Sequence, residues 1–435
     1  MEQQKMKQTI TVFGGLSIIV GIIIGSGIFM KPAVVFREAG SANGALLAWL
    51  VGGLITLAAA LTISEIAANI PRPGGLYTYL EELYGEKWGF LLGWVQTVIS
   101  YPASVGAQAI AFALYVAYFI PMNAGQQRLV AMGVLAFLTV LNVVSTRCSG
   151  VIQMVATVGK LIPIVVILGA GLFAASIPGA AGMSGELMGV GTGSAILGTL
   201  WAYDGWIAVT NMAGEMKNPQ KNLPKIIVLG IIFVIVIYFL FNLVVFNCLT
   251  PEQLQISETP GSDAAVALFG QKGAALISAG IMVSVFGSLN GYLMTGARVP
   301  HAMAEKGLLP ASRVLSKVHP KFGTPGNALI FHGVLAAIYA MSGTFNALTD
   351  ILVFVLWIFF TMGVLGVFLL RRKGLSAKEN YRVPLYPVVP AIGVAGGFFV
   401  LLSTLLSNPV QSMIGIGIAA IGLPVFFWSK KRELN

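Results

Sequence analysis

The sequence predicts an all-α polytopic membrane protein with twelve transmembrane helices. Composition, the spacing of the apolar runs and the placement of positive charge all point to it. Of the 435 residues, 57% are hydrophobic and only 10% are charged, with a mean hydropathy of +0.86. A water-soluble fold must wet its surface and cannot hide that much apolar area in one core, so lipid is the expected solvent. The 52 glycines suit helices that approach one another closely at small residues.

A helix needs about 20 apolar residues to cross a bilayer, because lipid leaves only intrahelical partners for its backbone N–H and C=O groups. Twelve such segments follow one another: 11–36, 44–70, 88–120, 127–145, 150–174, 192–215, 224–249, 271–304, 326–342, 347–371, 388–407 and 411–429. Those longer than needed are expected to tilt or to extend beyond the lipid. The polar N-terminus before residue 11 carries no signal-peptide cleavage site, so the first segment is expected to stay in the membrane.

The formal net charge of +10 does not point to nucleic acid, because the basic residues form no patch and sit between the apolar runs. Of the 26 Lys and Arg, 21 fall on one side of a twelve-helix topology. Lys31, Arg37, Arg128 and Lys272 fall on the other, and only Lys160 is assigned to neither side and expected to be buried in a helix. This bias places both termini in the cytoplasm. Cys148 and Cys248 lie apart without a CxxC partner and are expected to be small packing residues. His301, His319 and His332 are scattered. No metal site, cofactor site or catalytic constellation of an enzyme is expected.

Two segments are interrupted. The first contains Gly25-Ser26-Gly27 and the sixth contains Tyr203-Asp204-Gly205. The sixth segment stands five places after the first, and an odd offset inverts one half relative to the other, the arrangement that marks the substrate site of many secondary transporters. Gly25, Lys160 and Asp204 lie about 21, 15 and 18 Å into their segments at 1.5 Å per residue, near the middle of a core about 30 Å thick. Ionisable side chains at that depth face a cavity or a partner.

The chemistry of such breaks is definite. A helix restarting at Gly27 offers N–H groups of Ser26, Gly27 and Ile28 to an anion, and glycine lets a ligand reach the backbone. Carbonyls near Ile23, and from Trp201 to Asp204, suit a cation such as an ammonium. Together they suit a zwitterion, hence an α-amino acid. Trp201 is a candidate gate, with an aromatic packed between helices as the plainer alternative. Tyr203 is counted with the site as a packing or hydrogen-bonding residue. Glu65 and Glu215 are expected to form structural pairs near the cytoplasmic surface.

Several motifs resemble the amino acid–polyamine–organocation superfamily, and in particular its L-type amino-acid transporter branch. They are Ile22-Ile23-Ile24-Gly25-Ser26-Gly27-Ile28-Phe29, Pro73-Gly74-Gly75-Leu76-Tyr77-Thr78-Tyr79, Gly159-Lys160-Leu161-Ile162-Pro163, Trp201-Ala202-Tyr203-Asp204-Gly205-Trp206 and Gly214-Glu215-Met216-Lys217-Asn218-Pro219. Within that branch the chain is similar to bacterial serine/threonine exchangers and alanine–serine–cysteine exchangers. The resemblance implies a leucine-transporter-type fold: inverted five-helix repeats over 11–174 and 192–371, two further helices over 388–429, and cytoplasmic tails at 1–10 and 430–435. It implies that Gly25, Ser26 and Gly27 hold the substrate carboxylate and that carbonyls of Ile23, Trp201 and Asp204 meet the amino group. It also implies that Trp201 gates and that Lys160 replaces a coupling sodium ion. Many animal relatives carry Phe at the Trp201 position and Gly at the Asp204 position. They also join a heavy subunit through a cysteine before the fourth helix, whereas Pro121 to Arg128 contains none, so no disulfide-linked partner is expected. The expectation is sodium-independent exchange of small neutral L-amino acids such as serine, threonine and alanine across the cell membrane. Exchange of cationic amino acids or polyamines, and proton-coupled symport, are the rivals.

Overall fold

The computed structural model describes residues 11–433 except 72–73, 146–148, 150–151, 153–154, 157–158, 174–177 and 190. The expectations for residues 1–10, Arg72, Arg147 and Cys148 therefore lie outside the described residues.

The described residues form helices and no strand. The first apolar segment is two helices, α1 (Val12–Ile23) and α2 (Gly27–Ala39), bent by 48° at the glycine-containing break. Next come α3 (Ala42–Asn69), the short α4 (Gly75–Tyr84) and α5 (Glu86–Val95). A π-helical turn, Gln96–Ser100, joins α5 to α6 (Tyr101–Phe119). Then follow α7 (Ala124–Val144) and α8 (Leu161–Gly171). The sixth segment is α9 (Thr192–Ala202), then a turn, then a 3-10 helix over Trp206–Glu215. The remainder comprises α10 (Pro219–Cys248), α11 (Pro251–Ile256), α12 (Pro260–Gly296), α13 (Arg298–Glu305), α14 (Ser312–Leu315), α15 (Gly326–Ser342), α16 (Phe345–Arg372), α17 (Val388–Ser407) and α18 (Pro409–Glu433).

Among the described residues, eight helices are long and apolar enough to cross a membrane, or nine when the bent pair α1 and α2 is counted as one span. α8, α9 and α15 are apolar but too short to be counted that way, at 11, 11 and 17 residues. The chain is thus a multi-pass helical membrane protein. Its outer surface carries exposed Leu54, Phe137, Phe233, Ile338 and Phe398, which water would not tolerate in such number but acyl chains would.

The interior is built by α3 along α10, α6 along α12 and α15, and α2 along α9. Trp49 of α3 stands edge-on to Tyr238 of α10, with ring centroids 5.5 Å apart. At one end Glu65, fully buried, accepts two 2.8 Å hydrogen bonds from the Arg371 guanidinium. It also accepts from Ser376 Oγ and from the Val383 N–H, each at 2.8 Å. One carboxylate thereby ties α3 to the end of α16 and to the loop that follows. This is the structural pair expected of Glu65; the Glu215 side chain lies outside the described ones.

Candidate functional site

At the first break the helix ends for a local reason. Ile24 adopts φ −72°, ψ 96°, which no α-helix continues, and Ser26 starts the next turn by accepting from the N–H groups of Phe29 and Met30 at 3.1 and 3.0 Å. The first N–H groups of α2 have no acceptor within the helix. A Cβ on Gly27 would sit 2.7 Å from Ala202 Cα, so only glycine lets the two broken helices touch there.

The second break turns on Gly205. Its φ is +98°, a left-handed conformation that glycine adopts without penalty, and a Cβ would lie 2.6 Å from Ile22 Cγ2. Asp204 N–H donates to Trp201 O at 3.1 Å, and from Trp206 the chain continues as a 3-10 helix.

The two breaks share one small cavity. Ile22, Ile23, Gly25, Ser26 and Gly27 line it from the first break, and Trp201, Ala202 and Asp204 from the second. Gln108 of α6 and Ser288 and Tyr292 of α12 complete the wall. Asp204 is the only charged residue of that lining. The side-chain oxygens of Ser26 and Ser288 and Oε1 of Gln108 are buried without a hydrogen-bond partner.

Trp201 closes one side of the cavity, edge-on to Phe345 of α16 with centroids 5.0 Å apart and planes at 81°. Beside this pair stands Lys31 of α2, only 1% exposed. Its Nζ lies 5.2 Å from the Phe345 ring and 5.9 Å from the Trp201 ring. It donates to Asn346 Oδ1 at 3.0 Å and Thr349 Oγ1 at 2.8 Å. This corrects the expectation that Lys160 alone among Lys and Arg is buried in a helix. A charge count along the sequence assigns Lys31 to a side of the membrane but cannot see that α2 folds its ammonium against α16.

Lys160, 2% exposed, donates to the carbonyl of Gly21. That carbonyl would accept from residue 25 in an unbroken helix, so the break frees it. Ser284 and Ser288 of α12 give Lys160 no further bond; both hydroxyls are unpaired. Tyr203 does not line the cavity, and its hydroxyl donates to Trp49 O at 3.0 Å.

Four site residues escaped sequence reasoning. Gln108 carried a usable signal, as one of two amides, with Gln96, in the apolar segment 88–120. Tyr238 carried none: its hydroxyl lies 2.9 Å from the carbonyls of both Ile23 and Ala202. It thus bridges the ends of α1 and α9, although one proton serves only one acceptor at a time. Tyr292 and Lys31 likewise depend on helix packing for their positions.

The model of a family described as amino acid permease matches residues 10–427. The serine/threonine exchanger SteT of Bacillus subtilis is 42% identical over 100% of this chain and 99% of its own length. The b(0,+)-type amino acid transporter 1 of Mus musculus is 30% identical over 94% of this chain and 85% of its own. The human cystine/glutamate transporter is 30% identical over 99% and 87%.

Proposed function

The chain belongs to the amino acid permease family, a family of transporters and not enzymes, and from that premise we propose that it exchanges small neutral L-amino acids such as serine, threonine and alanine by alternating access. The observation that carries this reading is the meeting of two helix breaks at one small cavity. The N–H groups opening α2 suit the carboxylate, and the carbonyls of Ile23, Trp201 and Asp204 suit the ammonium. Ile23 O is held by Tyr238 in this structure, so a substrate ammonium would take over that acceptor while Tyr238 keeps Ala202 O.

An anionic side chain would meet Asp204 and no basic partner in the lining. Trp201 acts as the gate. Lys160, bonded to Gly21 O, does a coupling cation's electrostatic work without leaving, which supports sodium-independent exchange. Two inverted five-helix repeats over 11–174 and 192–371, twelve crossings, both termini in the cytoplasm and the cell membrane as location complete the proposal. With no cysteine between Pro121 and Arg128, the chain is proposed to work without a disulfide-linked subunit.

A cationic substrate is the rival that Asp204 favours, because Asp204 is the one acidic residue of the cavity lining. Competition against radiolabelled serine in proteoliposomes separates the readings. Serine, threonine and alanine should compete, and their amides, which lack the carboxylate, should not. Arginine, ornithine or putrescine competing at least as strongly as serine would establish the rival. Amides competing as well as free amino acids would remove the carboxylate from the Gly25–Gly27 break.

A further inference from the structure

Resting on that reading of the cavity, we infer that Gln108 of α6, assisted by Ser288 of α12, recognises a hydroxyl on the substrate side chain and so selects serine and threonine over their aliphatic isosteres.

The argument starts from the substrate's α-carbon, which bears three non-hydrogen substituents. The carboxylate and ammonium are directed to the broken helices, whose backbone groups are the complementary donors and acceptors. The side chain must turn to the wall left over, formed by Gln108, Ser288 and Tyr292 from α6 and α12.

That wall is not apolar. Gln108 is 2% and Ser288 6% exposed, and Gln108 Oε1 and Ser288 Oγ have no hydrogen-bond partner. Ser104, one turn away on the same helix, gives Gln108 Oε1 no hydrogen bond. Buried polar atoms left unmet are costly and rare in folded proteins, and here they belong to residues that line the cavity shared by the two breaks. A hydroxyl donates one hydrogen bond and accepts up to two. It can donate to Gln108 Oε1 and accept from the Ser288 hydroxyl, and an amide turned about its axis would still offer it a partner. A methyl in the same place would leave both groups unmet and sealed from water. A site built to pair with a hydroxyl rejects the analogue lacking it far more strongly than an apolar pocket rejects an added hydroxyl.

The test uses two isosteric pairs, serine against 2-aminobutyrate and threonine against valine, each differing by hydroxyl for methyl. The full chain is reconstituted in liposomes preloaded with serine, and each compound competes with radiolabelled serine. Wild type should be inhibited at least about tenfold more strongly by the hydroxyl member of each pair. Gln108→Met, similar in length but without the amide, should lower that ratio below about threefold, and Ser288→Ala should lower it in the same direction. If Gln108→Met does not fold, Ser288→Ala decides. Thermal stabilisation of the purified variant by serine against 2-aminobutyrate gives the same ratio without transport. A wild type that exchanges no amino acid overturns both the functional reading and this one. A wild type that exchanges amino acids without a hydroxyl preference, or a preference that survives the substitutions, overturns this one alone.

Discussion

At Gly27 the two interrupted helices come together with no room for a side chain, since a Cβ there would lie 2.7 Å from Ala202 Cα and 2.8 Å from its Cβ. Gly27→Val should therefore push α2 away from α9 and fill the approach to the N–H groups that open α2. The expected result is loss of serine binding, read as loss of serine-induced thermal stabilisation in a protein that still purifies as a folded species. Retained stabilisation would mean that the carboxylate binds elsewhere. Lys31 supports a second prediction. Its ammonium joins α2 to α16 through Asn346 and Thr349 and stands beside the Trp201–Phe345 pair. Hydrogen bonds to a charged group contribute about 1.5–3 kcal/mol each. Lys31→Met should thus loosen the packing of α2 on α16 beside Trp201 and slow exchange by about tenfold, the effect of 1.4 kcal/mol on a rate, with serine affinity altered much less. Equal exchange rates in variant and wild type would make Lys31 a packing residue. At this scale the sequence disclosed what glycine and charge disclose by themselves: Gly25, Gly27, Asp204 and Lys160 stand out in apolar runs. It did not disclose Lys31 as buried or Tyr292 as a cavity wall, because both depend on which face of a helix meets which neighbour.

Between elements, the strongest polar tie is the Glu65 carboxylate, held by Arg371, Ser376 and the Val383 N–H. Arg371 also lies 3.7 Å over the Tyr386 ring. Arg371→Gln would leave a buried carboxylate short of its main partner. Breaking a buried pair costs about 3–5 kcal/mol, and the guanidinium's 23% exposure puts the expected loss near the lower figure. Thermal unfolding in detergent should show a markedly lower midpoint for Arg371→Gln than for wild type. An unchanged midpoint would mean that the loop after α16 re-forms the same bonds without the arginine. The apolar segments were legible because period and length report burial in lipid. Segments 326–342 and 388–407 agree with α15 and α17 to the residue. Two features were not legible. Part of the apolar stretch 192–215 winds as a 3-10 helix after Gly205, which hydropathy does not distinguish from α. The stretch from Gly75 to Phe119 is divided into α4, α5, a π-helical turn and α6, which depends on local hydrogen-bond register.

In the whole molecule, the breaks, the gate and Lys160 make sense as parts of one carrier. Lys160 reaches from the start of α8 to Gly21 O on α1, so it ties the first broken helix to α8. Lys160→Ala should cripple exchange at any sodium concentration. A fixed ammonium also predicts that wild-type exchange is insensitive to an imposed proton gradient, whereas a proton carrier would drive uptake into empty liposomes. The central claim, that this permease trades one small amino acid for another through the shared cavity, is tested most directly by uptake of radiolabelled serine into liposomes with and without internal serine, in sodium-free buffer and under an inward sodium gradient. The account predicts rapid uptake only into the serine-loaded liposomes, equal with and without sodium. Uptake into empty liposomes that matches the loaded ones, or that appears only under the sodium gradient, would contradict it.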